Sequence, residues 1–206
     1  MKPNFVSDVI TLYGAPMSLW SGKARAYLRK QGIAFNEVMP GHASYRENIS
    51  PQTKRGIVPV VQLQDGSILQ DTLVIIDHFE QSKESRFSVY PETPQQRLSA
   101  LVLDLFGSEG LLKVAMHYRW NFPDHNEEFI LHEFGSSVMP WAPRFVQRWL
   151  GQKVAAKFSG YVEPLGINSQ SIPAIEAWYE ELLGQLNAHF KQHDFLLGSC
   201  PSIGDY

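Results

Sequence analysis

The hydrophobic rhythm of the chain changes near its middle: short apolar runs alternate with helical stripes at first, and beyond residue 94 only helical spacing remains. Val9, Ile10, Leu12 and Tyr13 form a brief, partly β-branched run that predicts a buried strand. Gly14, Ala15 and Pro16 break it. From Trp20 the apolar positions Trp20, Ala24, Tyr27 and Leu28 make one stripe of a helix, and Gly32 supplies its left-handed stop. Ile33 to Val38 predicts a second strand, and the strand–helix–strand order implies a parallel pair. Met39 to Gly56 is polar and irregular, a loop with room for one short helix. Val58 to Gln70 predicts a hairpin around Asp65-Gly66 in a primed turn. Asp71 to Glu80 reads as an apolar helix with Thr72 as N-cap and Asp71 adding negative charge beside it.

Gln81 to Pro94 is polar and ends in prolines, the composition of a linker. Gln95 to Trp120, His125 to Gly135, Pro140 to Ser159 and Ile172 to His193 each carry helical spacing. The fold class expected is therefore α/β followed by all-α. Near the end, Ser202 and Asp205 have the spacing of a capping box, which announces a helix. Since the sequence stops at Tyr206, the helical part reads as truncated at its C-terminus.

The net charge of −3 argues against a nucleic-acid footprint. The start lacks the apolar core of a signal peptide, and no run approaches the ~20 apolar residues of a spanning helix, so a cytoplasmic protein with no membrane partner is expected. One cysteine, Cys200, excludes an internal disulfide and a CxxC pair, so any thiol chemistry must use a borrowed thiol. Cys200 itself reads as a small buried hydrophobe. The histidines form no recognisable zinc pattern, and no metal is expected.

Ser18 and Ser21 fall in the loop and at the expected N-cap of the first helix, where unpaired N–H groups and the positive dipole end favour an anion. On this stretch alone, the reading of either serine as a helix cap and nothing more comes first. What lies downstream changes the weighting. LYGAPMSLWSGKAR after the first strand, the Val58-Pro59 pair, LQDT entering the third helical segment and FLLGSCPSIGD near the end stand in an order and spacing that resembles the cytosolic glutathione S-transferase family, in its serine-type, bacterial-like form. The resemblance spans essentially the whole chain.

It implies a thioredoxin-like glutathione-binding domain of βαβ-ββα order over residues 1–82, a linker over 83–94 and a helical domain over 95–206. By position, Ser18 matches the serine that hydrogen-bonds the glutathione sulfur, with Ser21 as the nearby fallback. Val58 matches the residue whose backbone pairs with the cysteinyl part of the tripeptide, and Pro59 the family's cis-proline. Asp71 and Thr72 match the pair that holds the γ-glutamyl end, with a shorter acid than the commoner Glu-Ser. Lys54 and Arg55 suit the glycyl carboxylate, or are solvated loop charges. Some relatives use a tyrosine at the sulfur, but Tyr13 lies in the apolar alternation of the strand and reads as core. Tyr118, Arg119 and Trp120 read as core in preference to pocket.

The chemistry fits the ligand independently of the family: an acid suits its ammonium, a helix start its carboxylate, and a strand edge its peptide-like middle. The activity implied is stabilisation of the glutathione thiolate for attack on an electrophile, or a related isomerisation, dehalogenation or peroxide reduction, in a homodimer. A non-catalytic binding or assembly module on the same fold is the alternative.

Overall fold

The computed structural model describes residues 9–53, 56–82 and 84–206. Strands β1 (Ile10–Tyr13), β2 (Phe35–Val38), β3 (Val60–Gln62) and β4 (Ile68–Gln70) form one sheet in the order β2-β1-β3-β4. β1 and β2 are parallel and joined through α1 (Leu19–Gln31), whereas β3 is antiparallel to both β1 and β4. α2 (Thr72–Ser82) follows β4 and completes the expected βαβ-ββα order.

Because side chains alternate along a strand, the sheet buries two faces. Leu12 and its cross-strand partner Val61 are fully buried, as are Tyr27 and Leu28 of α1 and Ile75 and Ile76 of α2. On the other face Tyr13 and its partner Val60 cluster with Tyr45 and Ile49, from a π-helical turn (Tyr45–Ile49) in the polar loop after β2. The rings of Tyr13 and Tyr45 lie 5.6 Å apart, so Tyr13 is a core residue. The hairpin turn differs from the expected primed type. Gly66 donates to the Leu63 carbonyl and alone in the turn has positive φ (86°), which makes it the left-handed residue after an ordinary turn, while Asp65 accepts from the Ser67 backbone and hydroxyl.

The loop from β1 to α1 is pinned at successive residues. Gly14 N–H donates to the Val38 carbonyl (3.1 Å), and Ala15 N–H donates to the fully buried Ser21 hydroxyl (3.3 Å). A Cβ at Gly14 would lie 3.0 Å from a Glu37 carboxylate oxygen and 3.2 Å from the Ser21 Cβ.

The remaining helices are α3 (Pro94–Leu105), α4 (Leu112–Trp120), α5 (Pro123–Val138), α6 (Arg144–Ser159) and α7 (Ile172–Phe190). The single helix expected over Gln95 to Trp120 is interrupted by a π-helical turn, Phe106–Gly110, that contains two glycines. By contacts the chain divides into two compact units: Met1–Phe87 with Phe129–Lys153, and Ser88–Glu128 with Val154–Tyr206. In the second unit Ile203 is fully buried and donates to the Val89 carbonyl, and the Asp205 carboxylate accepts from the Ser202 and Leu196 backbones, the acidic half of the expected capping box. Cys200, expected to be buried, is exposed. A Phe195–Gly198 bridge closes a turn there, and burial resumes only at Pro201.

In the first unit α5 and α6 touch backbone to backbone. A Cβ on Gly135 would fall 1.8 Å from the Gln147 carbonyl oxygen, and one on Gly151 would fall 2.0 Å from that of Leu131. Gly135→Ala is expected to lower stability by about 1–3 kcal/mol or more through overpacking. Gly184→Ala, in α7 with nothing within 4 Å, should instead stabilise by about 0.5–1 kcal/mol, and thermal melts of the two variants check the opposite signs. Ser21→Ala leaves the buried Ala15 N–H unpaired and should cost about 1–3 kcal/mol in denaturant unfolding.

Candidate functional site

The register of the sheet assembles the sequence-predicted residues at one end. Tyr13, the last residue of β1, pairs with Val60, the first of β3, and Val60 pairs with Gln70, the last of β4. The segments just beyond this row therefore emerge together: the loop to Ser18 after β1, Val58-Pro59 before β3, and Asp71-Thr72 after β4. β2 ends in the same row, since Val38 pairs with Tyr13. The N-termini of α1 and α2 both start from this end, each with unpaired N–H groups and a positive dipole end.

α1 begins earlier than its apolar stripe indicates. Ser18, with φ −81° and ψ 120°, is the N-cap, in place of Ser21. Its carbonyl accepts from Gly22 N–H (2.9 Å) and its hydroxyl oxygen accepts from Ser21 N–H (3.2 Å). Accepting uses only the oxygen's lone pairs, so the Ser18 O–H remains available as a donor. Ser18 is half-buried, whereas Ser21 is wholly inside and holds the loop through Ala15. The first turn of α1 has no acidic residue to compete with an anion.

At the start of α2 the expected roles of Asp71 and Thr72 are exchanged. Asp71 caps the helix: its carbonyl accepts from Ile75 N–H (3.0 Å) and one carboxylate oxygen accepts from Leu73 N–H (2.9 Å). The shift follows from the backbone, which turns at Asp71 with φ 89°, the left-handed side that aspartate tolerates better than most residues. Thr72 is instead the first helical residue, buried, and donates its hydroxyl to the Trp20 carbonyl (3.3 Å), so that the opening turns of α1 and α2 are tied together. Asp71 itself is exposed.

The Val58–Pro59 peptide is cis. Pro59 is buried, Val58 is half-buried, and neither backbone group of Val58 has a hydrogen-bond partner among the described residues. Next to it, the Ile57 carbonyl accepts from the Gln70 side chain (3.1 Å). Lys54 and Arg55 lie outside the described residues.

Sequence reasoning missed what flanks this end. Met17, one residue before Ser18, accepts at sulfur from the Ser137 hydroxyl of α5 (3.8 Å), and a Cβ on Gly41 would strike the Val138 carbonyl oxygen at 2.3 Å. No periodicity links residues so far apart. In the other unit, Tyr118 stacks on Phe122 at 5.6 Å and meets Tyr179. Burial lowers the Arg119 pKa. The buried His117 lies 2.9 Å from Glu176, with Asn121 on its other nitrogen. Among the described residues no group of His, Cys, Asp or Glu could hold a metal ion.

Residues 12–87 match the family model described as the glutathione S-transferase N-terminal domain. No curated protein matches the sequence. Solved structures do. A glutathione S-transferase from Rhodospirillum rubrum F11 is 15% identical, covering 95% of this chain and 73% of that one, with a TM-score of 0.55. The beta-etherase LigF from Sphingobium sp. strain SYK-6 is 20% identical, covering 95% and 79%, with a TM-score of 0.56. A theta class glutathione S-transferase from Xanthomonas axonopodis pv. citri, solved with glutathione bound, is 17% identical, covering 96% and 77%, with a TM-score of 0.51. The chain thus has the fold of these structures, and its residues 12–87 match the N-terminal domain of glutathione S-transferases.

Proposed function

We propose that this protein binds glutathione at the end of the sheet where Ser18, Val58 and Asp71 emerge, and holds its thiol as a thiolate for attack on a small electrophile. The observation that carries the reading is the Val58 backbone, whose N–H and C=O have no partner among the described residues, flanked by two helix starts: a free donor and acceptor suit a peptide-like ligand, and each helix start suits one anionic group. Asp71, exposed and with its second carboxylate oxygen turned to no described partner, takes the ammonium of the γ-glutamyl end. The N–H groups at the start of α2 take the neighbouring carboxylate. The Thr72 hydroxyl is engaged with Trp20, so its part is to hold that helix start in place. Lys54 takes the glycyl carboxylate. Residues 1–82 form the glutathione-binding domain.

At the sulfur, lowering a thiol pKa from near 8.5 by about two units requires roughly 2.7 kcal/mol of preferential anion stabilisation. A charge-assisted hydrogen bond contributes ~1.5–3 kcal/mol and a helix N-terminus up to ~2, so Ser18 and α1 together suffice. Ser18 is a donor to sulfur and forms no covalent intermediate. Ser21, buried and already receiving Ala15 N–H, positions the loop.

We propose also that the protein is a homodimer. Leu98, Leu101, Val102 and Leu105 recur at i, i+3, i+4 and i+7 along α3 and are all exposed, an apolar stripe that a second copy would cover.

With glutathione bound, thiolate absorbance should titrate about two pH units below free glutathione, and Ser18→Ala should move it back up by about one to two pH units with affinity nearly unchanged. The same effect from Ser21→Ala with none from Ser18→Ala would reassign the donor. Asp71→Ala should weaken glutathione affinity by about tenfold or more in calorimetry, an ion pair with hydrogen bonds being lost. Retention of glutathione without turnover on any electrophile would leave a binding module. For the dimer, Leu98→Glu with Leu105→Glu should convert a dimeric elution in gel filtration to a monomeric one.

A further inference from the structure

We propose that the outward face of α6, together with Trp141 just before it, rests on an anionic lipid bilayer surface. From Phe134 to Val162 the sequence contains no Asp or Glu and four cations, Arg144, Arg148, Lys153 and Lys157, in a chain whose net charge is −3. Gln147, Gly151 and Ala155 form the buried side of α6. The opposite side presents Phe145 and Trp149, one turn apart, and these are 76% and 54% exposed; Trp141 is 72% exposed.

The cations flank this apolar strip. At 3.6 residues per turn, Arg148 falls to one side of the Phe145–Trp149 line and Lys153 to the other, and all three cations from Arg144 to Lys153 are exposed. The Lys153 ammonium lies 3.7 Å from the Trp149 ring centroid, so charge and aromatic surface are presented together. Large exposed aromatics bordered by Lys and Arg on a helix with no acid are the pattern of a helix lying in a membrane interface, where rings enter the headgroup region and cations meet lipid phosphate. A second copy of the chain fits the face less well. A two-fold contact would set Arg148 and Lys153 of each copy against the other's cations with no carboxylate on the strip.

The proposal departs from the expectation of no membrane partner, which rests on the lack of a spanning segment. Among the described residues no helix is long and apolar enough to cross a bilayer, and a helix lying on the surface needs no such length.

The test is flotation of the full chain with vesicles of phosphatidylcholine alone and of phosphatidylcholine with about one-third phosphatidylglycerol. The chain should float with the anionic vesicles and not the neutral ones, with a blue shift of tryptophan emission and release by salt. Phe145→Ala with Trp149→Ala, and separately Arg148→Glu with Lys153→Glu, should each reduce partitioning by about tenfold or more while the melting temperature holds. Should the aromatic pair fail to fold, quenching of the wild-type tryptophan emission by brominated lipid reads the same insertion. Absence of flotation with anionic vesicles, or partitioning unchanged in the charge-reversal pair, overturns the proposal. So does binding to soluble polyglutamate with no quenching by brominated lipid, which would assign the face to an acidic protein. Self-association that the aromatic pair abolishes, without vesicle binding, would assign it to a second copy.

Discussion

The first N–H groups of a helix have no carbonyl of their own helix to pair with, and at the start of α1 their placement depends on a loop of a few residues. Left free, such a loop would spread those donors over many positions, and ordering it on ligand binding would cost about 1–2 kcal/mol per residue. In this chain the loop is ordered beforehand. Gly14 is bonded to Val38, Ala15 to the buried Ser21 hydroxyl, and Ser18 N–H to the Ala15 carbonyl. Arg25 braces the same corner from α1 with a two-pronged pair to Glu37 of β2, at 2.7 and 2.5 Å. That carboxylate is what a side chain at Gly14 would meet, so the small residue and the ion pair share one space.

The start of α2 meets the same demand by a different route. Asp71 supplies a cap oxygen and bends the backbone at φ 89°, a conformation that costs roughly 1–2 kcal/mol for a residue with a Cβ. Glycine would relieve that strain but would present no carboxylate. A strained residue that keeps a charged, exposed side chain is what a ligand-holding position looks like, and the Thr72 hydroxyl fixes it against the opening turn of α1. The two helix starts are thus one rigid arrangement, set before any ligand arrives.

Much of this was legible in the sequence because it is local. The period-2 and period-3.6 runs located β1, α1, the hairpin and α2, and the βαβ-ββα order followed from them. What failed was also local, and failed for a reason: hydrophobic periodicity marks where a helix begins to be buried, not where its backbone begins to turn. α1 starts ahead of its first buried residue, so the cap fell on Ser18 and not Ser21; at α2 the left-handed turn at Asp71, which no periodicity announces, put the cap there and made Thr72 the first helical residue. Asp65-Gly66 suited a primed turn by composition, but the choice between a two-residue and a three-residue loop depends on strand pairing. The helical half was legible as helical, and its glycines left their mark: those at 107 and 110 lie where the expected helix breaks.

The contact of Gly41 with the end of α5 was not legible, because it joins segments nearly a hundred residues apart in sequence. Helix–helix contact at Gly135 and Gly151 fixes α6 to α5, and α5 in turn meets the Gly41 loop and, through Ser137, Met17 beside Ser18. Phe129–Lys153 belongs to the unit that carries the helix starts, and its exposed aromatic-cationic strip is held on α5, whose Ser137 hydroxyl meets Met17 in the loop before Ser18. The α5–α6 contact is backbone against backbone, with no flexible side chain between, so the strip cannot shift by much without moving α5 and the Ser137 hydroxyl that meets Met17. A surface resting against α6 would accordingly hold the end of the sheet proposed to take glutathione at a defined place beside it.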